Sequence, residues 1–143
     1  MNLALDEAQK AYDLDEVPVG AIIVQNGTVI SASFNQVISR NSVTSHAEIN
    51  AILLASERLG NYRLVDCDIY VTLEPCHMCA KAIVDARLNN LFFGATEPKT
   101  GAIVSIDHFL DASHLNHRVN YSAGHLATDS ANLLQSFFQS RRG

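Results

Sequence analysis

Two short motifs, thirty residues apart, constrain this chain more than any other feature. The first is the H-A-E sequence that begins at His46, and the second is P-C-H-M-C, which contains Cys76 and Cys79. Each motif lies where the sequence predicts the start of a helix. Residues three apart share one helix face, so the two thiols can bind a single ion. The fold must therefore bring the starts of two helices together.

One imidazole and two thiolates form a ligand set that suits zinc. The N-terminus of a helix carries partial positive charge, which favours the thiolate forms of Cys76 and Cys79. Three protein ligands leave the fourth position for water, which is the pattern of a catalytic site. Bound zinc lowers the pKa of that water to about 7 and provides a nucleophile at neutral pH. We expect one Zn²⁺ per chain, held by His46, Cys76 and Cys79.

Glu48 is the candidate proton carrier, two residues after His46. Residues two apart on a helix do not face the same way. We therefore expect His46 at or before the first helical residue, where both side chains can face one pocket. The alternative is a capping box, S-x-x-E, in which Glu48 bonds back to the Ser45 amide. That alternative leaves His46 and the cysteines unexplained, so we rank it second.

The third cysteine and the remaining histidines have simpler interpretations. Cys67 lies at the far end of a predicted strand, about 20 Å from Cys76 at about 3.3 Å per residue. We therefore interpret Cys67 as a small buried hydrophobe. His77 lies off the face that the two ligand cysteines share, and we expect it to be a neighbour of the metal rather than a ligand.

Strands alternate with helices along the chain, which indicates a layered α/β fold. The Asn26-Gly27 dipeptide predicts a two-residue hairpin turn, and the simplest register then places Pro18 opposite Asn35. Pro75 is predicted to open the third helix, since proline suits the first helical position. The predicted strands are 19–25, 28–34, 68–73, 90–94 and 118–121, and the predicted helices are 2–13, 46–59, 76–87 and 129–142.

Helical spacing also predicts which faces of the terminal helices are buried. The first helix has its apolar side at Leu5, Ala8 and Tyr12. The last helix has its apolar side at Leu133, Leu134, Phe137 and Phe138, and we expect Phe137 in the core and Phe138 nearer the surface.

Length and composition favour one domain over residues 1–143, because 48% hydrophobic residues can form a core and no repeat or linker interrupts them. The first residues lack a basic region followed by an apolar stretch, and no apolar run has membrane-spanning length. We therefore expect a cytoplasmic protein without membrane contact. The net charge of −5 argues against tight nonspecific binding to nucleic acid.

The zinc motifs and several other segments resemble those of the cytidine-deaminase-like zinc enzymes, and most closely the bacterial tRNA-specific adenosine deaminases. The resemblance extends from about residue 12 to residue 142. It is carried by Glu16-Val17-Pro18-Val19-Gly20-Ala21, Asn35, His46-Ala47-Glu48, Asn61-Tyr62-Arg63-Leu64, Tyr70-Val71-Thr72-Leu73-Glu74-Pro75-Cys76, Met78-Cys79-Ala80, Phe93-Gly94-Ala95, Lys99-Thr100-Gly101-Ala102, Asn116-His117-Arg118-Val119 and Phe137-Phe138.

The resemblance implies a three-layer α/β/α sandwich around a five-stranded mixed sheet, in a homodimer. It implies hydrolytic conversion of the wobble adenosine to inosine in a tRNA anticodon stem-loop. Glu48 would carry the protons, and Asn35 would hydrogen-bond the flipped base. The amides of Ala47 and Cys76 would support the pocket.

The resemblance also assigns contacts with the anticodon loop to Lys99, Phe138 and Arg141. The resemblance also places Glu97 among the substrate-binding residues, in the same loop as Lys99, which in the family contacts the nucleotides around the target. The family usually has aspartate where this chain has Glu97, and Asp15 stands where a basic residue is common. Two other functions stay open. One is a deaminase of a free base or nucleoside, of the guanine or cytosine type, and the other is a noncatalytic zinc-stapled binding module.

Overall fold

The computed structural model describes residues 1–142, which form one five-stranded mixed sheet with helices on both faces. The strand order is β2-β1-β3-β4-β5; β1 is antiparallel to β2 and β3, while β3, β4 and β5 run parallel. This confirms the predicted α/β class with a mixed sheet. The elements are α1 (Asn2–Asp13), β1 (Gly20–Gln25), β2 (Thr28–Phe34), α2 (Ala47–Leu59), β3 (Cys67–Leu73), α3 (His77–Asp85), β4 (Asn90–Ala95), a 3₁₀ turn (Phe109–Asp111), β5 (Asn120–Ser122) and α4 (Ala127–Arg142).

The β1–β2 hairpin turns at Asn26-Gly27, as predicted, but its far end has a different register. Both turn residues have positive φ, 50° and 81°, as a type I′ turn requires. A β-bulge in the middle of the pair then inserts one extra residue on β2. Asn35 consequently lies opposite Val19, whose carbonyl accepts its amide at 3.1 Å, and not opposite Pro18.

α1 lies against one face of the sheet through alanines, so the predicted apolar side was right at Ala8 and wrong at Leu5 and Tyr12. Leu5 and Tyr12 are only half-buried. The reason is the close approach of α1 to Gly20, where a Cβ would collide with the helix backbone. Only small side chains fit at such a contact. The fully buried residues of this face are Ala4, Ala8 and Ala11.

α4 lies beside α1 on the same face and crosses β4 at Gly94, where a Cβ would meet Ser130 and the Thr72 carbonyl. Phe137 is buried against Tyr12, with ring centroids 5.7 Å apart. Phe138 is 45% exposed, so the expected contrast between these two rings is confirmed. The predicted apolar side of α4 was too wide, because only Phe137 of its four members is buried: Leu133 and Leu134 are half-buried.

α2 and α3 cover the opposite face, over the main core. Alternate residues of β1, Ala21 and Ile23, belong to this core together with the alanines of α2. α2 ends at Gly60, whose φ of 65° makes it a left-handed cap. In the described part of the chain, no helix combines the length and the hydropathy needed to cross a membrane.

α3 begins later than predicted and corrects the role of Pro75. Cys76 is the N-cap, with extended backbone, and the helix starts at His77. Pro75 therefore lies before the cap, in the connection from β3, and not at the first helical position. The helix ends at Asp85, and Arg87 then takes a left-handed conformation with φ of 64°, so the predicted end at residue 87 was too late.

Candidate active site

A cavity of about 280 Å³ opens at one end of the strands, where β2 and β3 end and β1 begins. Most of its lining is apolar, with a few polar groups that converge on it, which is typical of small-ligand sites. Four predicted site residues line this cavity: Asn35, His46, Glu48 and Cys76. Its apolar lining comes from Val17, Val19, Val37, Ile38 and Leu73.

The candidate metal ligands lie together at this cavity. The ligand atoms of His46, Cys76 and Cys79 are all within 4.8 Å of one another. His46 Nδ1 lies 3.4 Å from the Cys79 sulfur and 3.7 Å from the Cys76 sulfur. Zinc–nitrogen and zinc–sulfur bonds at a tetrahedral angle separate nitrogen from sulfur by about 3.6 Å. The donor types and their spacing therefore fit one tetrahedral zinc ion with a fourth position free.

The first residues of α2 and α3 hold these ligands in position. His46 is the N-cap of α2, with φ of −72° and ψ of 154°, so its backbone is still extended. This is the condition under which His46 and Glu48 face one pocket, and it confirms that expectation. The capping-box alternative is wrong, because the Ser45 amide donates to the Ser42 carbonyl and the Ser45 hydroxyl donates to Asn50.

The three candidate ligands share protons. A hydrogen bond from the Cys79 thiol, with a further contribution from His46, lowers the pKa of Cys76 to about 3. The same hydrogen bond and burial raise the pKa of Cys79, and the hydrogen bond with Cys76 raises the pKa of His46. A cation can replace the shared protons, because thiolates and a neutral imidazole are the forms that bind metal.

Glu48 is a buried carboxyl group, only 4% exposed, beside the three candidate ligands. Burial raises its pKa above the ordinary value. A buried carboxyl group with a raised pKa holds a proton more readily than an exposed one, which suits general acid–base catalysis. Asn35 is 8% exposed and also lines the cavity, while Ala47 is fully buried at the start of α2.

Two more buried carboxylates, Glu16 and Glu74, line the cavity and were not singled out from the sequence. Glu16 accepts the amides of Ile38 at 3.0 Å and Ser39 at 2.6 Å. Burial opposes ionisation of Glu16, but these donors outweigh it and lower the pKa of Glu16. Glu16 therefore fixes the loop between β2 and α2 above the cavity. No sequence signal identifies such a contact, because its donors are backbone amides.

Glu74 holds the loop after β4 in a similar way. Its carboxylate accepts the amides of Glu97, Val104 and Ser105 at 2.8–3.0 Å. Burial raises the pKa of Glu74, but the Ser105 hydroxyl and these amides lower it by more. The pKa of Glu74 therefore lies below its ordinary value. Thr100, on the loop held in this way, lines the cavity and was also missed as a site residue.

The residues assigned to the anticodon loop lie outside the cavity lining, at two places. Glu97 and Lys99 are on the loop after β4, where the Lys99 amide donates to the Glu97 carboxylate at 3.0 Å. Phe138 and Arg141 are on the last turns of α4. Arg141 is already engaged within the chain, since its guanidinium lies 3.2 Å from the Asp15 carboxylate.

The interpretation of Cys67 as a small buried residue is confirmed, and that of His77 stays a prediction. Cys67 is fully buried at the start of β3. His77 lies 2.8 Å from the Asp107 carboxylate on the surface, and within residues 1–142 it belongs to no metal-binding group.

The fold and the site together indicate hydrolytic deamination. A buried carboxyl group beside a His-Cys-Cys group, each ligand set at a helix start, defines the zinc deaminase class. Within that class, the chain belongs to the MafB19-like deaminase family, whose sequence pattern matches residues 1–142.

Similar proteins agree with this assignment. A tRNA-specific adenosine deaminase of Agrobacterium fabrum is 46% identical over 99% of this chain and 93% of its own length. The protein of the same name from Aquifex aeolicus is 43% identical, also over 99% of this chain and 93% of its own length.

Among solved structures, one from a study of A-to-I editing by tRNA:A34 deaminases at the wobble position has a TM-score of 0.91 and 46% identity. It covers 94% of this chain and 97% of its own. A guanine deaminase from Bacillus subtilis has a TM-score of 0.65 and 30% identity, over 99% of this chain and 90% of its own.

Proposed function

We propose that this protein is a zinc-dependent hydrolase that converts the wobble adenosine of a tRNA anticodon loop to inosine, with release of ammonia. The observation that carries the proposal is a near-complete match, at 46% identity and a TM-score of 0.91, to a structure studied as a tRNA:A34 deaminase. The cavity with its buried Glu48 supports the same chemistry. The shared sheet and core support treating residues 1–143 as a single domain.

The proposed cofactor is one Zn²⁺ per chain, held by His46, Cys76 and Cys79. The nitrogen–sulfur separations of 3.4 and 3.7 Å support this assignment. When bound, zinc supplies a Lewis acid that lowers the pKa of a water molecule and makes it a nucleophile at neutral pH. The protein groups then orient the base and move the protons.

Glu48 is the proposed catalytic residue. Its carboxylate takes a proton from the water that attacks C6 of the adenine and delivers it to the ring nitrogen. It then takes the second proton from the new C6 hydroxyl and gives it to the amino group, which leaves as ammonia while C6 becomes a carbonyl. Its burial supports this role, because burial raises the pKa of the carboxyl group and so strengthens it as a proton acceptor. Asn35 is the proposed hydrogen-bonding partner of the flipped base, and the backbone amides of Ala47 and Cys76 support the pocket.

The proposed RNA contacts are Glu97, Lys99, Phe138 and Arg141. Exposure supports Lys99 as a phosphate contact and Phe138 as a stacking surface. An adenine in a tight loop is partly unstacked, so flipping it costs only a few kcal/mol. Because tRNA is the proposed partner, we also propose that the protein acts in the cytoplasm.

A homodimer is the proposed assembly. Large apolar side chains stand exposed on α2 and on the loops at its two ends, and such exposure is typical of an interface. Sedimentation at several concentrations measures the assembly, and a monomer throughout contradicts this part of the proposal. The exposed residues are Ile38, Val43, Leu53 and Tyr62.

The second candidate is a deaminase of free guanine. The 30% identity to the Bacillus subtilis guanine deaminase favours it. One assay separates the two candidates: purified protein with zinc is incubated with a transcribed anticodon stem-loop and, separately, with free bases and nucleosides. Inosine in the stem-loop supports the proposed function. Turnover of a free base that is faster than turnover of any RNA supports the second candidate instead.

A further inference from the structure

We propose that Glu74 is a positioning residue for the substrate: its carboxylate fixes the 97–105 loop so that Lys99 and Thr100 stand at the rim of the cavity. This inference rests on the proposed function and extends it to a buried residue of the cavity lining. Glu74 is only 3% exposed and immediately follows β3.

The contacts of Glu74 are concentrated on one loop. Oε2 accepts the amides of Ile103 at 3.0 Å, Val104 at 2.8 Å and Ser105 at 3.0 Å. Oε1 accepts the amide of Glu97 at 2.9 Å and the Ser105 hydroxyl. The carboxylate therefore ties together both ends of the 97–105 loop. Lys99 and Thr100 lie between these two attachment points.

Gly101 shows how closely the loop surrounds this carboxylate. A Cβ built at Gly101 would collide with the Glu74 carboxyl group. Glycine is therefore needed at this position to let the loop backbone approach the acid. The Gly101 amide also donates to the Glu97 carbonyl at 2.8 Å, which closes the turn that carries Lys99.

The same connection reaches the candidate metal ligands. The Ala102 amide donates to the Pro75 carbonyl at 2.9 Å, and Pro75 lies between Glu74 and Cys76 in the chain. One short segment thus fixes both the rim of the cavity and the start of α3. The loop contacts substrate outside the reacting base, so its loss weakens binding of the ground state and the transition state equally. Such a change raises KM and leaves kcat unaltered.

The test compares Glu74→Gln and Gly101→Ala with the wild-type protein on an anticodon stem-loop, with zinc content measured alongside. Glutamine keeps the shape of the Glu74 side chain but replaces one acceptor oxygen, which faces the loop, with an NH2 group that donates. Alanine at residue 101 displaces the loop from an intact carboxylate. In both variants KM should rise about tenfold, which corresponds to about 1.4 kcal/mol of lost substrate binding by the displaced loop, while kcat and zinc content change little. The matched control is Asp6→Asn, the same change from carboxylate to amide on the exposed side of α1.

A merely structural role gives a different result. It lowers the active fraction, so the maximal rate falls while KM stays at the wild-type value, and that outcome overturns the proposal. If Glu74→Gln does not fold, Gly101→Ala decides alone. Failure of the proposed function is distinguishable, because the wild-type protein itself would then leave the stem-loop unchanged.

Discussion

At the scale of single residues, the chemistry depends on side chains that the fold keeps in unusual protonation states. Neighbouring donors lower the pKa of Cys76 to about 3, and burial raises the pKa of Glu48. In the proposed function, a bound cation stabilises the thiolates and Glu48 carries the protons. The metal site and the proton carrier can therefore be removed separately by mutation.

Loss of either thiol should remove the metal. Cys76→Ala and Cys79→Ala each leave two ligands, and two ligands do not complete a tetrahedral zinc site. We expect purified variants without zinc and with lower thermal stability, since metal binding is coupled to folding. Elemental analysis measures the zinc. Cys67→Ala is the matched control and should keep one zinc per chain; full occupancy in Cys76→Ala contradicts the ligand assignment.

Glu48→Ala should separate catalysis from metal binding. The variant keeps all three ligands, so zinc content and the folded fraction should match the wild-type protein. Turnover should fall by at least about 10⁴-fold, the upper end for a general acid–base group, because one residue serves several proton transfers. Single-turnover inosine formation measures the rate. Loss of activity in proportion to loss of folded protein would instead assign Glu48 a structural role.

Glu16 should make stability depend on acid pH. Its folded-state pKa lies below the ordinary value of 4.5, so its contribution is complete above pH 4.5 and is lost as the pH falls through the lower, folded-state value. At pH 7, Glu16→Gln should cost about 1–3 kcal/mol, the penalty for buried donors left without a full acceptor. Denaturant unfolding at several pH values measures this cost. A cost that stays constant down to pH 2 contradicts the assignment.

At the scale of elements, glycines decide how closely helices approach the sheet. α1 contacts β1 at Gly20, and α4 contacts β4 at Gly94. At Gly20 the backbone of α1 takes the room that a Cβ would need, whereas at Gly94 the Thr72 carbonyl of β3 takes it and Ser130 of α4 lies close by. This explains why α1 buries alanines and leaves Leu5 half-exposed.

Gly20→Ala should therefore destabilise the protein strongly. The added methyl group meets the backbone of α1, which cannot move without displacing the helix, so we expect a loss of about 3 kcal/mol or more. Gly27→Ala is the control: its φ of 81° causes strain, but nothing lies within 4 Å of the added carbon, and the cost should be about 1 kcal/mol. Equal costs in thermal unfolding would contradict the close approach.

At the scale of the whole molecule, the two ends of the chain meet near the candidate site. Arg141 of α4 lies 3.2 Å from the Asp15 carboxylate and 4.3 Å from the centre of the Phe137 ring. Glu16, the next residue after Asp15, lines the cavity. The arginine can therefore brace the fold, contact RNA, or do both.

Two substitutions distinguish these roles. As an RNA contact, Arg141→Ala should weaken stem-loop binding and reduce the slope of log affinity against log salt by about one, because a phosphate contact releases a counterion. Asp15→Asn removes the same ion pair but leaves the arginine and its 2.9 Å hydrogen bond to the residue 15 carbonyl, and asparagine tolerates the φ of 61° at this position, so binding should not weaken. Fluorescence anisotropy at several salt concentrations measures both. Equal losses in both variants would assign Arg141 to bracing alone, a role worth about 0–1 kcal/mol at an exposed pair.

The sequence alone determined the features that depend on local chemistry. Ligand types and spacing determine the His46, Cys76 and Cys79 group, and the hairpin turn follows from a dipeptide that tolerates positive φ. The positions of strands and helices follow from periodicity to within a few residues. Each depends on groups near one another in the chain, so a short window of sequence contains the cause.

Only the tertiary structure decided the rest. A single bulge shifts Asn35 to face Val19, and a close helix contact selects alanines on α1. Glu16 and Glu74 gain their roles from backbone amides of loops more than twenty residues away, and Arg141 meets Asp15 across nearly the whole chain. A backbone amide has the same chemistry at every residue except proline. No sequence pattern therefore specifies which carboxylate it will meet, and packing of the complete fold makes that choice.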